Sequence, residues 1–126
     1  MIKVLLVGLG GFLGSIARYW MSGLVQNQSA GTFPAGTLTV NVLGCFVLGA
    51  LSELAEARGF LSAEARTFAV IGLLGGFTTF SAFGNETLNL MRERDFAPAL
   101  ANVAANVILG VAAVWVGRAS THLIWR

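Results

Sequence analysis

Charged side chains are scarce in this sequence. Asp, Glu, Lys and Arg make up only 11% of its 126 residues, whereas hydrophobic residues make up 56%. A soluble globular domain carries about 25% charged residues, so this chain has too little polar surface to face water. Its mean hydropathy of +0.75 agrees. The composition therefore excludes an ordinary soluble domain.

Cysteine and histidine are almost absent, and positive charge is sparse. Cys45 is the only cysteine, so no intrachain disulfide forms, and we interpret it as a small packed side chain. His122 is the only histidine and has no cysteine or acidic residue near it in the sequence at ligand spacing, so we expect no metal role for it. The net charge is only +2 and the basic residues are scattered, so we expect no nucleic-acid partner.

Long apolar runs are what the sequence does contain. A bilayer core of roughly 30 Å needs about 20 apolar residues in a helix. Three runs of that length carry no charge, and a fourth is interrupted only by Arg18. The runs are Val4–Val25, Phe33–Ser52, Thr67–Asn85 and Phe96–Gly117. The sequence thus predicts an all-α integral membrane protein of one domain, residues 1–126, with four transmembrane helices in the lipid bilayer.

Short polar segments separate the predicted helices. These are the loop Gln26–Pro34, the connection Arg58–Ser62 and the charged turn Arg92–Asp95. Pro98 is tolerated because it falls in the first turn of the last helix. We expect helices from about Ile2 to Val25, from Gly36 to Ala57, from Ser62 to Met91 and from Ala97 onward.

The N-terminus has two other interpretations, and both fit less well. Lys3 and the apolar run after it resemble a secretory signal peptide, but the apolar character continues well beyond a normal one. Gly8 and Gly10 open a dinucleotide-binding fingerprint, which requires a third glycine and then an acidic residue. Position 13 is leucine, however, and no acidic residue appears before Glu53.

Glycines in the first helix suit close helix packing. Gly10 and Gly14 form a small-xxx-small pair. Because helices in lipid associate through close packing, small residues mark contact faces. The pair belongs either to a dimer face or to packing within one chain, and both interpretations stay open.

Basic residues show a weak asymmetry between the two sides of the membrane. Five are predicted on one side and three on the other, and so weak a bias predicts insertion in both orientations. The five are Lys3, Arg58, Arg66, Arg118 and Arg126; the three are Arg18, Arg92 and Arg94.

Polar residues inside two of the predicted helices recur at helical spacing. Thr37 and Asn41 lie four residues apart, as do Asn102 and Asn106, so each pair shares one helix face. A polar group at membrane depth needs a partner or a wet cavity. The two stripes are interpreted as the lining of a pathway, with interhelical hydrogen bonding as the alternative.

The third apolar segment carries the most unusual pattern. Gly75 and Gly76 favour a break near residues 75–79, and discontinuous helices use freed backbone groups to hold ions. Phe80 and Phe83 share a face beyond the break, where positive ring edges can meet an anion; plain packing is the alternative. For Glu86 three interpretations stay open: a proton carrier, a residue at a pore mouth or a partner for Arg18.

These motifs are similar to those of one known family. The stretch Gly75–Phe83, GGFTTFSAF, with Glu86–Thr87 after it, resembles the signature of the Fluc (CrcB) family of fluoride ion channels. The second-helix stretch Gly36–Gly44, GTLTVNVLG, matches the family pattern GTLxVNxxG. Gly14 and Arg18 fit its first-helix pattern GxxxR, and the resemblance covers the whole chain.

The resemblance implies a channel and not an enzyme. It implies passive, selective exit of fluoride across a cell membrane of the bacterial inner-membrane type, which gives resistance to fluoride. It also implies an antiparallel, dual-topology homodimer with two pores and one structural sodium ion at its centre. Pairing with a homologous subunit stays open. Together with the polar stripes, the resemblance assigns the fluoride pathway to Phe80, Phe83, Asn41, Thr37, Ser81, Asn102 and Asn106, and the sodium site to the backbone carbonyls of Gly75 and Thr78.

Some features depart from the family pattern or stay open. Gly110 stands where family members often carry a polar side chain in the fourth helix, so water or another side chain would have to serve there. Arg18 is either part of an ion pair at the pore mouth or an anchor at the membrane surface. The main alternative function is a proton-coupled four-helix exporter that uses Glu86, and another is an assembly subunit that transports nothing.

Overall fold

The computed structural model describes residues 1–56 and 59–125, and all regular structure within them is helical. Ala57, Arg58 and Arg126, which the sequence places at a helix end and in the count of basic residues, lie outside the described residues. The α-helices are α1 (Ile2–Gln28), α2 (Ala35–Glu56), α3 (Ala63–Arg66), α4 (Gly75–Phe77), α5 (Phe80–Arg92) and α6 (Phe96–Ile124), and a π-helical segment, Thr67–Leu74, joins α3 to α4.

Four stretches of the described chain are long and apolar enough to cross a membrane. They are Ile2–Gln28, Ala35–Glu56, Ala63–Arg92 and Phe96–Ile124. We call the third of these, which contains α3, the π-helical segment, α4 and α5, the third span. The prediction of an all-α chain with four membrane spans is confirmed, and the chain is a multi-pass membrane protein.

Two helix pairings organise the bundle, and glycine permits both. Helix α2 packs along α6, and α1 packs along the π-helical segment and α4. A Cβ added at Gly117 would lie 2.9 Å from the backbone N of Ala50, and one added at Gly14 would lie 2.9 Å from that of Phe77. A Cβ added at Gly10 would likewise lie 2.8 Å from the backbone N of Leu73 in the π-helical segment. Gly10 and Gly14 therefore serve packing within the chain.

The outer face of the bundle is apolar. Large side chains such as Leu5, Phe12, Trp20, Ile108 and Trp115 are exposed in the single chain. Aliphatic and aromatic side chains in these positions suit the hydrocarbon of a bilayer, in which helices need no polar surface.

The third span leaves helical conformation at Thr78 and Thr79 and not at its two glycines. Gly75 and Gly76 lie within α4, whereas Thr78 (φ −84°, ψ 159°) and Thr79 (φ −152°, ψ 117°) are extended. A Cβ on Gly76 would lie 3.0 Å from the Cα of Gly11 in α1. This glycine therefore allows close helix contact, and the interruption comes two residues later.

Apart from Arg18 and Glu86, the charged residues of the described chain lie near helix ends. At one end of the bundle, Arg118 pairs with Glu56 at 2.8 Å, and His122 Nδ1 lies 3.1 Å from Glu53 Oε1. Both contacts join α2 to α6, which gives His122 an acidic neighbour that the sequence spacing did not indicate. At the other end, Arg94 closes α5 with a left-handed φ of 63°.

Candidate functional site

The extended dipeptide Thr78–Thr79 is the centre of the candidate site. The Thr79 side chain caps α5, because its Oγ1 accepts a hydrogen bond from Ala82 N at 3.2 Å. A threonine at an N-cap favours a helix start at the next residue. The sequence Thr-Thr-Phe-Ser thus ends one helix and begins another within two residues.

Every backbone polar group of this dipeptide has a partner within the same chain. Thr78 N donates to Leu74 O at 2.9 Å, and Thr78 O accepts from Arg18 Nη1 at 3.2 Å. Thr79 N donates to Asn41 Oδ1 at 2.8 Å, and Thr79 O accepts from Asn41 Nδ2 at 3.0 Å. Because an unpaired backbone group is costly away from water, Arg18 and Asn41 hold the interruption in place.

A chain of hydrogen bonds runs from the interruption into α6. Asn41 Nδ2 also donates to Asn106 Oδ1 at 3.0 Å. Asn106 Nδ2 donates to Asn102 O at 3.0 Å and to Asn102 Oδ1 at 2.9 Å. Asn102 is fully buried and donates to Thr87 Oγ1 at 2.9 Å. The two predicted polar stripes therefore meet, and both amide hydrogens of Asn41 and of Asn106 are engaged within the protein.

Two cavities adjoin the interruption, one on each side of Thr79. The first, which we call the aromatic cavity, has a volume of about 440 Å³. Its lining includes Asn41, Cys45, Thr79, Phe80, Phe83 and Asn106. The second, which we call the polar cavity, has a volume of about 590 Å³. Its lining includes Arg18, Thr37, Thr79, Ser81, Asn85 and Glu86.

Phe80 and Phe83 form a tilted aromatic pair in the aromatic cavity. Their ring centroids are 5.3 Å apart and the ring planes meet at 56°. Phe83 is half-buried, whereas Phe80 is 83% exposed in the single chain. Most of the Phe80 ring is therefore not buried by the packing of its own chain.

Glu86 is the acidic residue of the polar cavity. Thr37 Oγ1 donates to Glu86 Oε1 at 2.7 Å, whereas Glu86 Oε2 is buried without a partner. Within residues 1–56 and 59–125, Arg18 and Glu86 line the same cavity without forming an ion pair. Arg18 is bound instead to the Thr78 carbonyl, which differs from both roles that the sequence left open for it.

Cys45 lies beside the glycine that interrupts the polar face of α6. A Cβ added at Gly110 would lie 3.6 Å from Cys45 Sγ, an ordinary contact distance. Cys45 is one helical turn from Asn41, as Gly110 is from Asn106. The side chain nearest to the missing position on α6 is therefore a thiol from α2.

The structure brings most of the predicted pathway residues to the two cavities. Asn102 lies one turn away in the buried chain of amides. Two further residues escaped the sequence prediction. Thr79 borders both cavities, and Thr87 Oγ1 accepts from Asn102 and donates to Phe83 O at 2.8 Å. A sequence signal existed for Thr79, since threonine directly before an apolar helix is a typical N-cap.

Comparisons with known proteins agree on one family. The family model described as CrcB-like protein, Camphor Resistance (CrcB), matches residues 5–118. The chain is 48% identical over 118 residues to the fluoride-specific ion channel FluC of Methylobacillus flagellatus, which covers 93% of this chain and 92% of the relative. It is 47% identical over 115 residues to FluC of Opitutus terrae, covering 90% and 87%, and 43% identical over 120 residues to FluC 1 of Methanosarcina acetivorans, covering 95% and 91%.

Proposed function

Because this chain belongs to the CrcB-like protein family, we propose that it is a fluoride-specific ion channel. It carries fluoride passively out of the cell across the inner membrane and so gives resistance to fluoride. The observation in this structure that supports the proposal best is the Phe80–Phe83 pair, which lines a cavity beside an interrupted membrane helix.

The fluoride pathway passes the interruption between the two cavities. Thr37 and Ser81 line it on the polar side, and Asn41, Asn106, Phe80 and Phe83 line it on the aromatic side, with Asn102 behind them. Thr79 borders both cavities, which supports a route past this residue. Hydroxyl and amide donors replace water around a small anion, and ring edges attract it without holding it tightly.

The amide donors in this pathway are shared between protein and ion. Both hydrogens of Asn41 Nδ2 are engaged, with Thr79 O and Asn106 Oδ1. An anion at this side chain must therefore take a hydrogen from one of these acceptors. Such an exchange suits conduction, because an ion that competes with the protein for its donor is not held for long.

The conducting unit is an antiparallel homodimer with two pores. Phe80 lines the pathway yet is 83% exposed in one chain, and Gly75 is also exposed. A second copy covers both and completes the aromatic surface. The weak asymmetry of basic residues supports insertion in both orientations, which an antiparallel pair requires.

One sodium ion lies at the centre of this dimer and is held by the carbonyls of Gly75 and Thr78. The residues present fit such an ion. Thr79 N donates to Asn41 Oδ1 and not to the carbonyl of Gly75, four residues earlier. The Gly75 carbonyl therefore lacks this helical hydrogen bond. Thr78 O accepts one hydrogen bond and keeps a second lone pair. Bound there, the ion would stabilise the assembly and raise the local potential for anions.

Reconstitution into liposomes with a fluoride electrode tests the function. We expect fast release of fluoride, without release of chloride and without need of a proton gradient. Release that requires a proton gradient and fails in Glu86→Gln would instead support an exporter that uses the unpartnered carboxylate oxygen. A folded sample without fluoride release would overturn the channel.

A further inference from the structure

Arg18 stands at the end of the stripe by which α1 contacts the third span. Gly10, Gly14 and Arg18 follow each other at intervals of four residues and so share one face of α1. Both glycines lie against the backbone of the third span. The close approach that they allow brings the arginine, one turn further on, to the interruption at Thr78.

The Arg18 guanidinium is directed to a carbonyl that is also a candidate cation ligand. Nη1 donates to Thr78 O at 3.2 Å, and the side chain is partly buried. Within the described residues no carboxylate pairs with Arg18, although Glu86 borders the same cavity. Its positive charge is therefore not neutralised by an ion pair.

We propose that Arg18 is a positioning residue that limits the affinity of the interruption for sodium, because its guanidinium and the ion share the Thr78 carbonyl. The proposal rests on the sodium site of the proposed function. A carbonyl oxygen has two lone pairs, so the guanidinium and the ion can bind it together. Their positive charges then repel each other across one atom.

The size of the effect follows from Coulomb's law. Two unit charges about 4 Å apart interact by about 1 kcal/mol even in bulk water, and by more in a lower dielectric. Removal of the guanidinium charge should therefore lower the dissociation constant for sodium by about fivefold or more. The hydrogen bond lost from Thr78 O acts in the same direction, because it frees the carbonyl for the ion.

Thermal unfolding of the full-length protein in detergent measures this effect without fluoride flux. Sodium chloride replaces N-methylglucamine chloride at constant ionic strength, so that screening does not change. The recorded quantity is the sodium concentration that gives a fixed rise in unfolding temperature, which scales with the dissociation constant. Arg18→Gln removes the charge and keeps amide donors, and Arg18→Met keeps only the apolar stem. Arg18→Lys keeps the charge, and Arg92→Gln makes the same charge change at an exposed helix end.

We expect Arg18→Gln and Arg18→Met to reach this rise at sodium concentrations at least fivefold lower than the wild type, and Arg18→Lys and Arg92→Gln to stay within twofold of the wild type. If one neutral variant does not fold, the other decides. Equal sodium concentrations for this rise in the wild type and the neutral variants, or no sodium response in any of them, would overturn the proposal. Fluoride release by the same wild-type sample is recorded separately, so loss of the channel function itself is distinguishable.

Discussion

Asn41→Ala should destabilise the chain far more than an ordinary exposed substitution does. The Asn41 side chain makes three hydrogen bonds between elements: two to the backbone of Thr79 and one to Asn106. Truncation to alanine removes all three at once. It also leaves the backbone N–H and C=O of Thr79 without partners at membrane depth.

The magnitude follows from these bonds. An interhelical polar hydrogen bond in a membrane protein is worth about 0.6 kcal/mol on average, so three give about 2 kcal/mol. A buried backbone group left unsatisfied costs about 1–3 kcal/mol, and Thr79 has two such groups. The expected loss is therefore about 2 kcal/mol if water reaches the gap from the aromatic cavity, and up to about 6 kcal/mol if the gap stays dry.

Equilibrium unfolding in mixed detergent micelles measures this loss, and fluoride release from liposomes should fall with it. Asn89→Ala is the matched control, because Asn89 is exposed and its side chain makes no hydrogen bond to the described residues; its effect should stay within about 0.5 kcal/mol. A loss for Asn41→Ala no larger than that of Asn89→Ala would refute the role of Asn41 as a clamp.

Four further outcomes are expected. Phe80→Ile and Phe83→Ile should each slow fluoride release while cross-linking still finds a dimer; unchanged release would mean that the rings only pack. Gly14→Ala should lower the unfolding temperature, because its Cβ would overlap the backbone of the π-helical segment and overpacking costs about 1–3 kcal/mol. Gly8→Ala, where nothing lies within 4 Å, should instead stabilise the helix by about 0.5–1 kcal/mol, and a loss there would contradict this account. Arg94→Gly should stabilise by up to about 1 kcal/mol in the same unfolding assay, since φ is 63° at this position; destabilisation would show that the Arg94 side chain matters more than its backbone.

The four spans were predictable from composition because a bilayer requires long apolar helices. The sequence predicted a break near residues 75–79 from Gly75 and Gly76, but Gly76 serves contact with α1 and the extended residues are Thr78 and Thr79. Glycine pairs indicate both breaks and close contacts, and the sequence does not distinguish the two uses. What separates them is the position of a neighbouring helix.

The partners of the polar residues could not be predicted from spacing. Helical periodicity placed Asn102 and Asn106 on one face, but not the hydrogen bond from Asn41 that joins them to α2. Arg18 is the sharpest case. The sequence left two interpretations open for this arginine, an ion pair and an anchor at the membrane surface. In the structure, its guanidinium donates to a backbone carbonyl. The Thr78 carbonyl can accept this hydrogen bond only because the third span is interrupted there, sixty residues after Arg18.

Thr78 and Thr79 are fully hydrogen-bonded within one chain. The interrupted backbone and the aromatic surface of the proposed pathway therefore have different requirements. The interrupted backbone needs only Arg18, Asn41 and its own helix, so it forms in a single subunit. The aromatic surface needs more, because Phe80 is exposed in the single chain and only the proposed second copy would cover it. Substitution of Asn41 should therefore impair folding of the subunit, whereas substitution of Phe80 should impair only the assembled pathway. A subunit that folds and still forms a dimer, yet releases fluoride more slowly, is then the expected behaviour of the phenylalanine variants.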